Sequence, residues 1–229
     1  MVRGSNAWSA LRGVWPLLVV ACAATDATAQ AAQPQQLVDR AEATLRTFLR
    51  DPEMAWLRAN IEKARGVLVA PAVVNGGLII GGSGGRAVLI VREPSRNEWL
   101  GPAFYTLASG TIGLQAGVAS SESVTLLMSE RAVDALLASS LKLGTDASVT
   151  AGPVGPAPTM TPSSDFVSFA RTKGVRTGLD LAGTMITANN EWNTAYYGRA
   201  VLAPDVLVRG GAINPNAAQL LAAVPRPGS

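Results

Sequence analysis

Histidine is absent from this sequence of 229 residues, and cysteine occurs once. The first absence removes the commonest general base and the commonest metal ligand together. A metal would have to be held by carboxylates alone, yet the acids are scattered and no D-x-D-x-D-G calcium loop occurs. Without histidine, a serine nucleophile would need a lysine partner, and neither Lys142 nor Lys173 is expected to serve. The single cysteine, Cys22, leaves the rest of the chain without any thiol for a disulfide. Charge is scarce too: 15% of residues are charged, against roughly a quarter in an average domain. With 48% hydrophobic residues this composition excludes a charge-rich disordered chain and describes one folded domain whose surface is built from Ser, Thr, Asn, Gln and Gly. The formal charge is +3, and without residues 1–29 the balance is 17 basic against 15 acidic side chains. So small an excess gives no basis for nucleic-acid binding.

Residues 1–29 have the layout of a secretory signal. Arg3 and Arg12 supply the positive segment, Val14–Ala24 the apolar core, and Ala27-Thr28-Ala29 an A-x-A cleavage site. The apolar core contains Pro16 and is too short to span a bilayer, which takes about twenty residues. Export to a bacterial periplasm is the expectation. Val19-Val20-Ala21-Cys22 also resembles a lipobox, in which Cys22 is lipidated and becomes the first residue of a membrane-anchored lipoprotein. Both readings of the N terminus stand at this point.

Residues 30–36 read as a polar tether, followed by one domain over 37–224 and a tail over 225–229. Leu37, Ala41, Leu45, Phe48 and Leu49 recur at helical spacing, and Asp51-Pro52-Glu53 reads as the start of a second helix carrying Trp56, Leu57 and Ile61. The two helices either pack on the domain or lie on a membrane, with Arg40, Arg46, Arg50 and Arg58 toward anionic headgroups. From Gly66 the pattern becomes one of strands: Val67–Ala70, Leu78–Ile80, Ala87–Val91 and Val124–Met128, with turns expected at Asn75-Gly76-Gly77, at Gly81–Gly85 and at Ser120-Ser121-Glu122. Gly81–Gly85 matches neither a phosphate loop nor a dinucleotide fingerprint, and no cofactor is expected. Trp99–Val118 has no charged side chain, two adjacent aromatics (Phe104, Tyr105) assigned to the core, and Gly110, Gly113 and Gly117 marking curvature. Ser129 caps a short helix to Leu137, 141–149 reads as strand, 152–163 as a Pro-rich loop, 167–173 as strand, 189–193 as loop, and Asn214-Pro215 starts a last helix. The expected fold is α+β, a curved antiparallel sheet or sandwich with two N-terminal helices and short helices elsewhere. Lys63 and Arg65, together with Arg171, Lys173 and Arg176, are the candidate headgroup-binding residues if the fold brings them to one patch.

Ala64-Arg-Gly-Val-Leu-Val-Ala-Pro71, the glycine run 76–85, Trp99 with Gly-Pro-Ala-Phe-Tyr105, Gly113-Leu-Gln-Ala-Gly117, Leu143–Val149, Gly152-Pro-Val-Gly155 and Arg171-Thr-Lys-Gly174 together resemble the SYLF domain family. The resemblance spans nearly all of residues 60–210. It implies a lipid-binding domain with no known catalytic residues, linked in eukaryotic relatives to phosphoinositides and actin, and in many bacterial relatives to exported proteins or lipoproteins. The actin role is not carried over to an exported bacterial chain. The resulting expectation is a non-enzymatic protein of the cell envelope that binds anionic phospholipid or a membrane surface. Two alternatives are an envelope scaffold for protein partners and, behind it, an unrecognised hydrolase. The intact mass of the exported protein decides the N terminus: a diacylated Cys22 and a free Gln30 differ plainly.

Overall fold

The computed structural model describes residues 18–225, apart from 78–79, 94, 113–116, 139, 157–163, 173–174 and 179–180. The elements in order are α1 (Leu18–Arg50), α2 (Ala55–Asn60), β1 (Gly66–Gly77), β2 (Ile80–Glu93), β3 (Glu98–Ile112), β4 (Gly117–Leu127), α3 (Glu130–Leu137), β5 (Ser140–Lys142), β6 (Val149–Ala151), β7 (Phe166–Thr172), β8 (Val175–Gly178), β9 (Met185–Ala188), α4 (Asn190–Tyr197), α5 (Ala203–Leu207) and α6 (Ala218–Ala223). All the strands join one curled sheet in the order β5-β9-β3-β2-β1-β4-β7-β6, with β8 on β7. Every pairing is antiparallel except β6 with β7. The α+β expectation holds, and a single sheet takes the place of the sandwich option.

The central strands explain why. Val67–Ala70 and Ala87–Val91 are buried at every position, the pattern of strands covered on both faces. Val67, Val69, Val88, Ile90 and Phe104 face α1, α2, α4 and α6, while Leu68, Leu89, Val91, Ala103 and Tyr105 face α3 and α5. Phe104 and Tyr105, each 1% exposed, thus enter opposite cores. Burial at Tyr105 pushes the phenol well above its ordinary pKa, and its hydroxyl donates to the Leu136 carbonyl at 3.0 Å.

Prolines enter the sheet only where the ladder breaks. Pro71 sits where β1 shifts register against both β2 and β4, and Pro102 sits at the β2–β3 shift between Leu89 and Val91. A residue without an N–H fits there and not in a continuous ladder. Gly101 beside it has φ +130°, and a Cβ would lie 2.9 Å from the Leu89 carbonyl oxygen.

Three expected turns are strand instead. Asn75-Gly76-Gly77 continues β1, Gly81–Gly85 is part of β2, and Ser120–Glu122 lies inside β4. Their backbone groups are paired by neighbouring strands, so turn-type residues are held extended. Residues 30–36 are helical rather than a tether, since α1 runs through them. Asp51-Pro52-Glu53 is a turn, with Asp51 Oδ1 accepting from Glu53 N at 3.1 Å, and α2 starts only at Ala55. Residues 189–193 begin a helix: Asn189 accepts from Trp192 N at 3.0 Å and caps α4. The caps expected at Ser129 and Asn214 are in place.

Asn193, 0% exposed, extends the sheet without a strand. β9 pairs Tyr105–Ala108 and then turns away. The next groups of β3 are met by Asn189, whose N–H donates to the Phe104 carbonyl at 2.8 Å, and by Asn193 Oδ1, which accepts from Phe104 N at 2.9 Å. A second polar tie is Asp165. Its carboxylate accepts from Ser129 Oγ at 2.7 Å and from Ser148 Oγ at 2.8 Å, joining the N-cap of α3 to the entrances of β6 and β7. The Ser129 hydrogen bond above all, helped by Ser148 and Arg131, lowers the Asp165 pKa below its ordinary value.

Asn193→Ala removes an amide partner from a buried N–H, and a loss of about 1–3 kcal/mol is expected in urea denaturation. Asp165 has a depressed folded pKa, so its contribution is complete above the unfolded value and is lost as pH falls through the folded one. Asp165→Asn is therefore expected to flatten the loss of stability below about pH 4, as read from melting temperature against pH.

Candidate functional site

The candidate headgroup residues do not form one patch. Arg65 N donates to the Leu127 carbonyl at 2.7 Å, whereas Arg171 stands opposite Glu122 across β4 and β7. Five residues of strand separate the two points, about 17 Å at roughly 3.4 Å per residue. Lys63 is exposed and donates to Asn60 Oδ1 at 3.2 Å. Arg176 lies opposite Arg171 in the backbone register of β7 and β8, and Lys173 lies outside the described residues.

Arg65 and Arg171 each also stand beside acids. Arg65 lies 3.7 Å from Glu130 and shares a depression of about 250 Å³ with Arg92, Glu93, Glu130 and Asp134, three acids against two bases. Arg171 donates to Glu122 Oε2 through Nε at 2.9 Å and through Nη2, and Thr44 Oγ1 donates to the other carboxylate oxygen at 3.2 Å. That pair ties β7 and β4 to α1, with the guanidinium 6.0 Å from the Phe48 ring centre. It is a structural clamp.

The membrane-surface reading of α1 meets a similar obstacle. Its apolar residues Leu37, Val38, Ala41, Leu45 and Phe48 are buried against the domain's own sheet. Residues 32–50 keep no apolar face to enter a bilayer. On the outer face Arg40 and Arg50 are exposed, Arg46 pairs with Glu42, and Asp39 adds an acid. Arg58 bonds the Leu49 and Asp51 carbonyls. Cys22 falls on the backbone of α1, and its side chain is outside what is described.

The structure assembles a different site from residues far apart in the chain. Past Ala72 and Gly85 the central strands leave the helical layers, and a groove of about 530 Å³ opens between them, α1 and α4. This size is within the range of small-ligand sites. Leu37 and Pro71 form an apolar floor, Val74 stands 48% exposed on it, and Arg40, Arg86 and Trp192 form its edge. The Arg86 guanidinium carbon lies 4.4 Å from the Trp192 ring centre. Stacking on an indole orients a guanidinium while leaving its edge N–H groups free to meet an anion. Arg40 donates through Nε to the Gln36 carbonyl at 3.2 Å. Among the described residues no acid lines the groove; Asp39 and Glu191 neighbour Arg40 and Trp192 in sequence but stand outside the lining.

Sequence reading missed Arg86 and Trp192. The signal was present for the first: Arg86 is the sole charged residue between Arg65 and Arg92, in a run otherwise of strand formers and glycine. Trp192 had no such mark, since the segment carrying it reads as polar loop. That reading also passed over one S-x-x-K spacing, Ser139 to Lys142. Ser139 lies outside the described residues. Among the described residues no group of three or more His, Cys, Asp or Glu is placed to hold a metal ion. No helix among them is long and apolar enough to cross a membrane.

Comparison with known proteins bears on this arrangement. Residues 108–226, just over half of the chain, match the Ysc84 family, described as "Las17-binding protein actin regulator". The chain is 27% identical over 152 residues to SH3 domain-containing YSC84-like protein 1 of Rattus norvegicus, covering 64% of this chain and 44% of that protein. It is 27% identical over 145 residues to Protein YSC84 of Saccharomyces cerevisiae, covering 60% and 31%. It is 24% identical over 162 residues to LAS seventeen-binding protein 3 of the same species, covering 68% and 34%. The chain spans less than half the length of these curated relatives, the last of which is named for binding. By its family match and the sequence features that run through the whole sheet, the chain belongs to the Ysc84 family, the SYLF domain proteins.

Proposed function

We propose that this chain is a non-enzymatic domain that binds anionic lipid at a membrane surface, in an exported or membrane-anchored protein of the cell envelope. The observation that carries the reading is the groove edged by Arg40, Arg86 and Trp192, which has two cations, an indole, an apolar floor and, among the described residues, no acid in its lining. Such a surface attracts phosphate oxygens by charge and holds them by directed N–H groups. Trp192 suits the boundary between water and acyl chains, because its ring is apolar and its N–H polar. Export rests on residues 1–29 and anchoring on Cys22.

A second reading has its own observation. Leu202, Val208 and Ile213 are exposed, Ile213 to 88%, around α5, beside Arg199 and Arg209. Apolar side chains grouped on a surface mark an interaction site. The core residues of α5 pack on the sheet face opposite the groove, so this patch is a separate surface for a protein partner, the class of ligand named in the family's description.

Co-sedimentation with phosphatidylcholine vesicles of rising phosphatidylglycerol content tests the lipid reading. Binding is expected to rise with anionic content and to fall with salt. At about 1 kcal/mol for each basic residue near the surface, Arg40→Ala with Arg86→Ala lowers partitioning on the order of tenfold to thirtyfold. Arg209→Ala, on the opposite face, leaves it unchanged. No sedimentation at any composition overturns the reading.

A further inference from the structure

Beyond the two arginines, the same face of the sheet continues as a lane of small residues. On the α1 side of the sheet the pairings set three rows across β1, β2 and β3: Ala72, Arg86 and Thr106; then Val74, Gly84 and Ala108; then Gly76, Gly82 and Gly110. After the Arg86 row only Val74 carries more than a methyl group. The rows are about 7 Å apart, so the lane runs about 14 Å from Arg86.

Glycine in a strand has three usual reasons: a left-handed backbone, a crowded Cβ, or the close approach of something else. Gly85 has the second, since a Cβ there would lie 2.6 Å from the Ala72 carbonyl oxygen. Gly84 and Gly110 have neither of the first two. Neither is among the positive-φ glycines, a Cβ on Gly84 would have its nearest neighbour at 3.8 Å, and one on Gly110 would have none within 4 Å. Both positions are exposed. At an exposed strand position any β-branched residue would give a more stable sheet. The remaining reason is room for a ligand.

We infer that the groove holds one anionic lipid, its head oxygens between Arg86 and Arg40 and one alkyl chain laid along the lane over Gly84, Ala108 and Gly110. This inference rests on the lipid reading above and adds the occupant's shape. Charge decides the orientation: both cations stand at one end, beside Trp192, and the lane itself has no charged residue. A flat lane one side chain deep between Val74 and the β3 face accepts a linear chain, where a peptide would leave its backbone N–H and C=O groups unpaired on glycine.

The full chain is titrated with a lysophosphatidylglycerol bearing a brominated chain, below its critical micelle concentration, following tryptophan fluorescence. One-to-one quenching is expected, and Trp192→Phe removes most of it. Gly84→Gln, or Gly110→Gln should the first lower the melting temperature, is expected to weaken this binding tenfold or more while the protein still sediments with anionic vesicles. Glycerol phosphate is expected not to compete, and a neutral lysolipid to bind at least tenfold more weakly. Vesicle binding without monomer binding, or lane-filling variants that bind like wild type, overturns the inference and leaves the surface reading. Equal binding of glycerol phosphate overturns the alkyl lane. Wild type that binds neither vesicles nor the lysolipid overturns both readings.

Discussion

Burial on both faces of β1 and β2 is the constraint from which the rest of the molecule follows. Val67–Ala70 and Ala87–Val91 have no exposed side, so helices must cover the sheet above and below. The amphipathic stripe of α1 takes one face, with α2, α4 and α6; the shorter α3 and α5 take the other. The same strands then run on past that cover, where their sequence changes from Val, Leu and Ile to Gly, Ser and Ala. One pair of strands thus serves as core at one end and as open surface at the other, and the groove lies at the border.

Scarcity of charge gives the groove its meaning. Arg65 meets Glu130, Arg171 meets Glu122, Arg46 meets Glu42 and Arg209 meets Asp205. Most of these pairs hold one element to another or finish a helix turn. Arg86 instead rests on an indole, in a region where the chain carries no acid for 27 residues after Arg65. Those pairs spend their charge within the protein, while Arg86 stands on an indole at the groove's edge.

Much of this was legible in the residues, for reasons that can be named. Caps are local, so Ser129 and Asn214 marked α3 and the C-terminal helix correctly. Phe104 and Tyr105 were read as core because so much apolar area rarely stays in water. Glycine misled: Asn75-Gly76-Gly77 and Gly81–Gly85 carry every sign of a turn, and only pairing with distant strands holds them extended. Asn193 misled in the other direction, since its work is to replace a strand partner for Phe104, 89 residues away. The placing of Arg171 missed its partner for the same reason. Closeness in sequence put Arg171 with its neighbours, but register put it with Glu122, and register is not written locally. The groove needed α1, β2 and α4 in one place, which no window of sequence contains.

Amide hydrogen exchange of the full chain, with and without anionic vesicles, tests the central claim most directly. If the groove is the lipid-binding surface, protection rises at residues 72–74, 84–86 and 106–110 and at the start of the well-packed part of α1, around Leu37 to Ala41. Protection confined to the α5 surface, residues 199–213, with the strands unchanged, would contradict it.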